Sequence, residues 1–227
     1  MSFIKQVVKF YYSKPLIFLL HNCLYWLKRE LKDCDTVLDL GCGYDSLLKY
    51  QRMKFSVGVD YFMPYILESK DKSIHHHYIR ADIREIEFKP RSFDAVLLLN
   101  VLEHFNKQEG YRLIERVSRF AYKKIIITTP NGYLNQIVNS ENPLQEHHSG
   151  WKVEELKALG FKAKGLSGFK IFRTAIHCED RKHYLKRVLS TVRFRPRIFW
   201  LLIAEISQIA AYRFPHLCFE VFYVKRI

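Results

Sequence analysis

The sequence has no Cys-x-x-Cys pair, no internal repeat, no low-complexity tract and no apolar run long enough to span a bilayer, and each absence narrows what the chain can be. Its five cysteines, Cys23, Cys34, Cys42, Cys178 and Cys218, are odd in number and scattered. That argues against a disulfide framework or a structural zinc site and fits a reducing, cytosolic setting. The apolar stretch from Pro15 to Leu20 meets His21 and Asn22 at once, too soon for a transmembrane helix. No charged-then-apolar start ending in small residues is read, so no secretory signal is expected. Acidic residues are the scarcer charge, 23 against 37 Lys and Arg, and the net charge is +14. Such a balance implies an anionic partner, whether nucleic acid, a membrane surface or an acidic substrate, without choosing among them.

What is present is a chain of 227 residues, 48% hydrophobic and 26% charged, enough for one α/β domain with a small appended lobe. Residues 2 to 32 place apolar side chains at three- and four-residue steps, which predicts one or two amphipathic helices, the second starting at Pro15. These form an N-terminal helical extension, residues 1–34, ahead of a main domain over 35–227. From Thr36 the pattern alternates. Apolar runs Thr36–Leu40, Phe55–Val59, Tyr78–Ile79, Phe93–Leu99 and Lys124–Thr128 are separated by helix-like stretches Ser46–Arg52, Pro64–Ser69 and Lys107–Phe120. Short strands alternating with helices predict a Rossmann-like, seven-stranded, mostly parallel sheet with helices on both faces. A further helix, Trp151–Leu159, should be capped by Ser149 or Gly150 and end at a left-handed Gly160, and Cys218–Val224 reads as a last strand.

The first strand runs into Gly41-Cys42-Gly43, where missing side chains let backbone approach a ligand and expose amides at the next helix start. A lone Gly-x-Gly also serves ordinary tight turns. Asp60 closes the second strand seventeen residues beyond Gly43, near the offset at which a carboxylate meets ribose hydroxyls; a solvated helix cap is the alternative. The third glycine of a dinucleotide fingerprint is replaced by Ser46, and the negative charge of Asp39 suits a cationic ligand better than a pyrophosphate.

Taken in order, Val37–Gly43, Val57–Asp60, Ala81-Asp82-Ile83, Phe93–Phe105 and Ile125–Asn131 resemble the motifs of class I S-adenosylmethionine-dependent methyltransferases over about residues 35–165. The resemblance implies S-adenosyl-L-methionine as cofactor. The loop of Asp39, Gly41, Cys42 and Gly43 would wrap its methionine and ribose, and Asp60, with Tyr61 beside it, would take the ribose hydroxyls. Asp82, next to Ile83, would meet the adenine amino group, and Asn100 would border the reacting methyl. Asp45-Ser46 departs from the glycine common in relatives.

Asn100-Val-Leu-Glu103-His104 is similar to the stretch linked to a divalent metal in quinone-biosynthesis O-methyltransferases, but Asn100 replaces one hard ligand, so no metal is expected. His104 is expected to start a helix, with a substrate contact as the alternative. Together with His147 and His148, in an expected substrate-side insertion at 131–151, it is a candidate general base. His75-His76-His77 is expected to be an exposed approach to a strand, because neighbours on an extended chain point to opposite faces.

The expected reaction is O-methylation of a small-molecule, glycan or lipid-linked acceptor; transfer-RNA methylation and a non-catalytic scaffold are the alternatives. No Pro follows Asn100 as in base-amino methyltransferases, no Pro-Cys nucleophile for cytosine is present, and no appended RNA-binding motif is read. In the segment 179–213, seven Lys and Arg residues precede an apolar, aromatic-bearing helix from Phe199 to Tyr212. The helix is expected to cover the active site or the sheet; the alternative is peripheral contact with an anionic membrane. The expected location is cytoplasmic, with that peripheral contact as the variant.

Overall fold

A computed structural model describes residues 19–135, 142–175 and 188–227. The expected helices before Leu19, part of the insertion, and the basic residues Arg181, Lys182, Lys186 and Arg187 lie outside the described residues.

The chain order is α1 (Cys23–Glu30), β1 (Thr36–Leu40), β2 (Phe55–Asp60), α2 (Met63–Asp71), β3 (His77–Arg80), β4 (Phe93–Leu99), α3 (Lys107–Phe120), β5 (Ala121–Pro130), α4 (Val153–Ala158), β6 (Lys162–Phe169), α5 (Arg197–Ala211) and β7 (Cys218–Arg226). The strands form one seven-stranded sheet in the order β3-β2-β1-β4-β5-β7-β6, parallel throughout except for β7, which runs antiparallel between β5 and β6.

Alternation along the central strands buries both faces of this sheet. Leu38, Val96, Leu98, Ile125 and Ile127 face Leu113, Ile114 and Val117 of α3 and Val153 and Leu156 of α4. Their neighbours Val37, Ala95, Leu97 and Ile126 face Trp26 and Leu27 of α1. Helix α3 starts with a capping box, in which the Asn106 side chain accepts from the Glu109 amide and the Glu109 carboxylate accepts from the Asn106 amide. Gly110 lets it lie against the fully buried Trp151, since a Cβ there would come within 2.4 Å of the indole.

Three local expectations need correction. Ser46–Arg52 is not a helix but one 3-10 turn, Leu47–Tyr50, because Ser46 commits its hydroxyl to Leu48 N and Asp39 while β2 starts only a few residues later. Helix α4 is capped at Lys152, whose amide donates to Glu155 Oε2 at 2.7 Å, and not at Ser149 or Gly150. Ser149 instead turns its hydroxyl to the Leu102 carbonyl. The histidine triplet is not wholly exposed, since the His75 side chain is completely buried and only His76 and His77 face outward. Gly160 takes φ +89°, in keeping with its expected left-handed position after α4.

Candidate functional site

Strand order reverses between β1 and β4, and in an open sheet of this kind the crevice outside the carboxyl ends at that point is the natural ligand site. A cleft of about 1610 Å³ opens there. Its wall takes Asp39 to Gly43 after β1, Asp60 and Tyr61 after β2, Asp82 and Ile83 after β3, and Asn100 after β4. The topology therefore brings together at one end of the sheet every residue that the motif resemblance placed around the cofactor.

The geometry of the glycine turn differs from its expected form. Gly41 N and Cys42 N both donate to the Val59 carbonyl, at 2.8 and 3.0 Å, and Gly43 N donates to Asp60 Oδ2 at 2.9 Å. The turn's amides are thus tied to β2 and are not free for a ligand. What the glycines supply is shape. Gly41 sits at φ +69° with Val101 Cγ2 2.6 Å from where a Cβ would lie, whereas Gly43, at φ +57°, faces open space. A flat or extended ligand could pass over Gly43 unhindered.

Asp39 is buried and accepts from Ser46 Oγ at 2.6 Å and, on the same oxygen, pairs with His75 Nε2 at 3.0 Å. Gly58 makes room for this imidazole, since a Cβ there would lie 2.8 Å from His75 Nδ1. Sequence reasoning missed His75 because a run of three histidines has no sidedness until the register of β3 is known. Cys42 is buried beside Asp39 and Asp60, and burial first, then those carboxylates, push its thiol far above the usual range, so it is no nucleophile.

Asp60 accepts from Gly43 N and Phe62 N, yet burial outweighs these bonds and raises its carboxyl above the ordinary carboxylate range. A carboxylate so placed, with lone pairs left over, is well suited to hydroxyl donors. Asp82 is already gripped by Arg84, whose Nη2 lies 2.7 Å from Oδ2 and whose Nε reaches both oxygens, and this pairing lowers its carboxyl. An adenine amino group would share that carboxylate with a guanidinium. Tyr61 is exposed, with Arg80 over its ring, and Ile83 is buried in the cleft wall.

Asn100 adopts φ +55° at the mouth of β4. Its Oδ1 accepts from Thr128 Oγ1 at 3.1 Å, and its side chain lies beside Glu220. Glu220, on β7, receives Ser167 Oγ at 3.0 Å; burial raises its carboxyl, while Ser167, Asn100 and the charge of Arg173 pull the other way. Arg173 is buried, bonded to Thr191 Oγ1 at 2.9 Å and paired with Glu205 of α5. All of these line the same cleft beyond Asn100, together with Leu201, Leu202, Ile206 and Ile209 of α5. The cleft thus has two halves that meet at Asn100, one acidic and turn-lined, the other walled by apolar side chains around the half-buried carboxyl of Glu220.

Of the candidate bases, His104 and His148 line the cleft, while His147 lies behind His104, its Nδ1 2.8 Å from the Leu134 carbonyl. Burial pulls His104 down to about 4, so it is a neutral imidazole at physiological pH. Its Nδ1 lies 3.0 Å from the Glu146 carbonyl, which fixes the ring against the insertion. Glu103 is buried, with Oε2 lacking a partner among the described residues, and burial pushes its carboxyl up to about 8. Ligand atoms of Glu103, His104 and His147 lie within 4.8 Å of one another, so this trio could hold a cation even though Asn100 replaces the acidic residue of the metal-linked pattern.

Comparison with known proteins agrees with this geometry. The family model described as "Methyltransferase domain" matches residues 38–124. An uncharacterized protein of Methanocaldococcus jannaschii is 29% identical over 145 residues, 63% of this chain and 59% of that protein. A protein of Bos taurus named "Probable tRNA methyltransferase 9B" is 27% identical over 92 residues, 40% of this chain and 20% of the other. The chain thus spans only part of the length of these relatives. Among solved structures, a SAM-dependent methyltransferase from Archaeoglobus fulgidus superposes with a TM-score of 0.53 at 16% identity, covering 95% of this chain and all of that one. Residues 38–124 thus match a methyltransferase domain, and the strand order with its switch point between β1 and β4 gives the chain the fold of S-adenosylmethionine-dependent methyltransferases.

Proposed function

We propose that the chain methylates a hydroxyl of a small-molecule, glycan or lipid-linked acceptor. The observation that carries this reading is the single cleft running from Asp60 and Asp82 past Asn100 to Glu220, with the apolar side chains of α5 along its far wall. S-adenosylmethionine, when bound, supplies a methyl group already activated by its sulfonium, so the protein's task is alignment, exclusion of water and handling of one proton. Asp60 would hold the ribose hydroxyls, Asp82 the adenine amino group, and the bare turn at Gly43 would leave room for the chain between them. Tyr61 and Ile83 would flank the base, and Asn100 would stand beside the reacting methyl. Glu220, raised by burial and beside Asn100, would accept the acceptor's proton as its oxygen attacks; the neutral His104 is the alternative base. Cytosolic location belongs to the same proposal; among the described residues no helix is long and apolar enough to cross a membrane.

A second reading, methylation of transfer RNA, is favoured by the net charge of +14 and the partial similarity to the Bos taurus protein. A scaffold without activity would have no need for Asp39, Gly43, Asp60 and Asp82 around one open cleft.

Calorimetric titration with S-adenosylmethionine and its demethylated product tests the cofactor half. Absence of binding by both would refute the enzyme reading, and Asp60→Ala should abolish it. Transfer of labelled methyl to panels of phenols, glycans, lipid-linked alcohols and transfer RNA then tests the acceptor. Labelling confined to RNA would replace the first reading with the second.

A further inference from the structure

Helix α5 carries its large apolar side chains on the outside. The face against the sheet presents small or polar residues, the buried Ala204, Gln208 and Ala211, with Gln208 accepting from Gly168 N and donating to the Gly165 carbonyl. Ile198, Leu202, Ile206 and Ile209, spaced to fall in one stripe, are 64%, 58%, 61% and 40% exposed. Exposed Phe199 flanks them, and exposed Phe214 and Leu217 follow the helix. A surface helix of a globular protein normally has the reverse arrangement, and an apolar patch of this extent marks a contact surface.

The charges around the stripe say what kind. Arg193, Arg195 and Arg197 are exposed at its start and Arg213 at its end. The one carboxylate between residues 193 and 217, Glu205, is turned inward onto Arg173. A stripe of branched aliphatic groups framed by guanidinium groups, with the exposed Glu154 engaged by His216 beyond its far end, fits the headgroup region of an anionic bilayer. Nucleic acid would find nothing to bind in the aliphatic stripe. A second copy of a chain with a net charge of +14 would bring the arginines that frame one stripe against those of the other.

We infer that α5 is a docking surface for an anionic lipid bilayer, on which it lies flat. Leu202, Ile206 and Ile209 belong both to this surface and to the cleft wall, so the docked face opens onto the acceptor half of the site. The inference that the acceptor arrives from the lipid phase rests on the methyltransfer reading; the docking itself does not.

The test is co-sedimentation of the full chain with phosphatidylcholine vesicles with and without phosphatidylglycerol. The expected result is association with the anionic vesicles that weakens as salt rises, and a fall of about tenfold or more in partitioning for the double variant Ile198→Glu/Phe199→Glu, two exposed residues outside the cleft wall. Titration with S-adenosylmethionine should give that variant the wild-type affinity, which shows that it is folded. Absence of wild-type association would overturn the inference. So would association that the double variant retains, or a lipid-free dimer that the same variant splits. A wild-type chain that docks yet binds no S-adenosylmethionine refutes the methyltransfer reading and leaves the docking surface standing.

Discussion

His75 Nε2 lies 3.0 Å from Asp39 Oδ2, both side chains buried, so the carboxylate at the end of β1 is held by a residue that enters from the far edge of the sheet. Ser46 Oγ is the second donor to that oxygen. A hydrogen bond to a charged group contributes roughly 1.5–3 kcal/mol, and a buried carboxylate short of a donor settles into another conformation. His75→Phe is therefore expected to weaken S-adenosylmethionine binding by about tenfold or more, with thermal stability also reduced. His75→Gln, which retains a donor, should recover part of the loss. Unchanged affinity in His75→Phe would remove this histidine from the account of the site.

Glu220 should act on the rate and not on cofactor affinity. Glu220→Gln is expected to lower kcat by about 100-fold or more, the scale of general-base catalysis, and to leave the dissociation constant for S-adenosylmethionine unchanged. The base must be ionised to work, and burial raises the Glu220 carboxyl. Activity should consequently fall on the acid side at a pH above the ordinary carboxylate range, and that limb should vanish from the residual activity of the variant. A variant with full kcat would transfer the role to His104.

The two glycines of the turn should separate stability from binding. Gly41→Ala places a Cβ 2.6 Å from Val101 Cγ2 in a left-handed conformation and should lower the melting temperature clearly. The Cβ of Gly43→Val meets no protein atom within 4 Å, so its cost to the fold comes mainly from the left-handed backbone, at least about 1–2 kcal/mol, while its side chain enters the space proposed for the cofactor. Loss of binding in Gly43→Val with the fold retained is the expected result by calorimetry and thermal melting. Normal binding would mean that the cofactor takes another path.

Glu103 gives a pH signature in metal-free protein. Its carboxyl titrates at about 8 when folded against an ordinary value near 4.5. The unfolded chain therefore releases this proton first, and as pH climbs from about 4.5 to about 8 the folded state loses stability through this group. Glu103→Gln should flatten that fall, so that its stability exceeds that of the wild type at pH 8 in chelator-treated samples. Parallel stability curves for the two proteins would exclude a neutral buried Glu103. A cation on Glu103, His104 and His147 would show as stability that the chelator removes.

Much of this architecture was legible because β1, β2, β4 and β5 are buried on both faces and read as plain apolar runs. The proposed cofactor side was legible for a related reason, since Asp39, the glycine turn, Asp60 and Asp82 each sit at or just beyond a strand's carboxyl end and so keep fixed offsets from those runs. The proposed acceptor side keeps no such offsets. Glu220, Asn100 and the Ser167–Arg173 segment come from three separate stretches, and Glu220 joins the other two only when β7 pairs with both β5 and β6. Glu220 alone is one glutamate in a strand-like segment. The turn at Ser46 read as a helix because nothing local reveals that its hydroxyl is claimed by Asp39 seven residues back.

The antiparallel insertion of β7 also governs the order in which the molecule can be completed. Residues 218–226 follow every other strand in the chain, yet they lie between β5 and β6. Until they emerge from the ribosome, the edge of β5, with its Ile125-Ile126-Ile127 run, has no neighbour on that side. An unpaired apolar strand edge is a template for aggregation, so a nascent chain or a product truncated before Cys218 should depend on chaperones far more than the finished one.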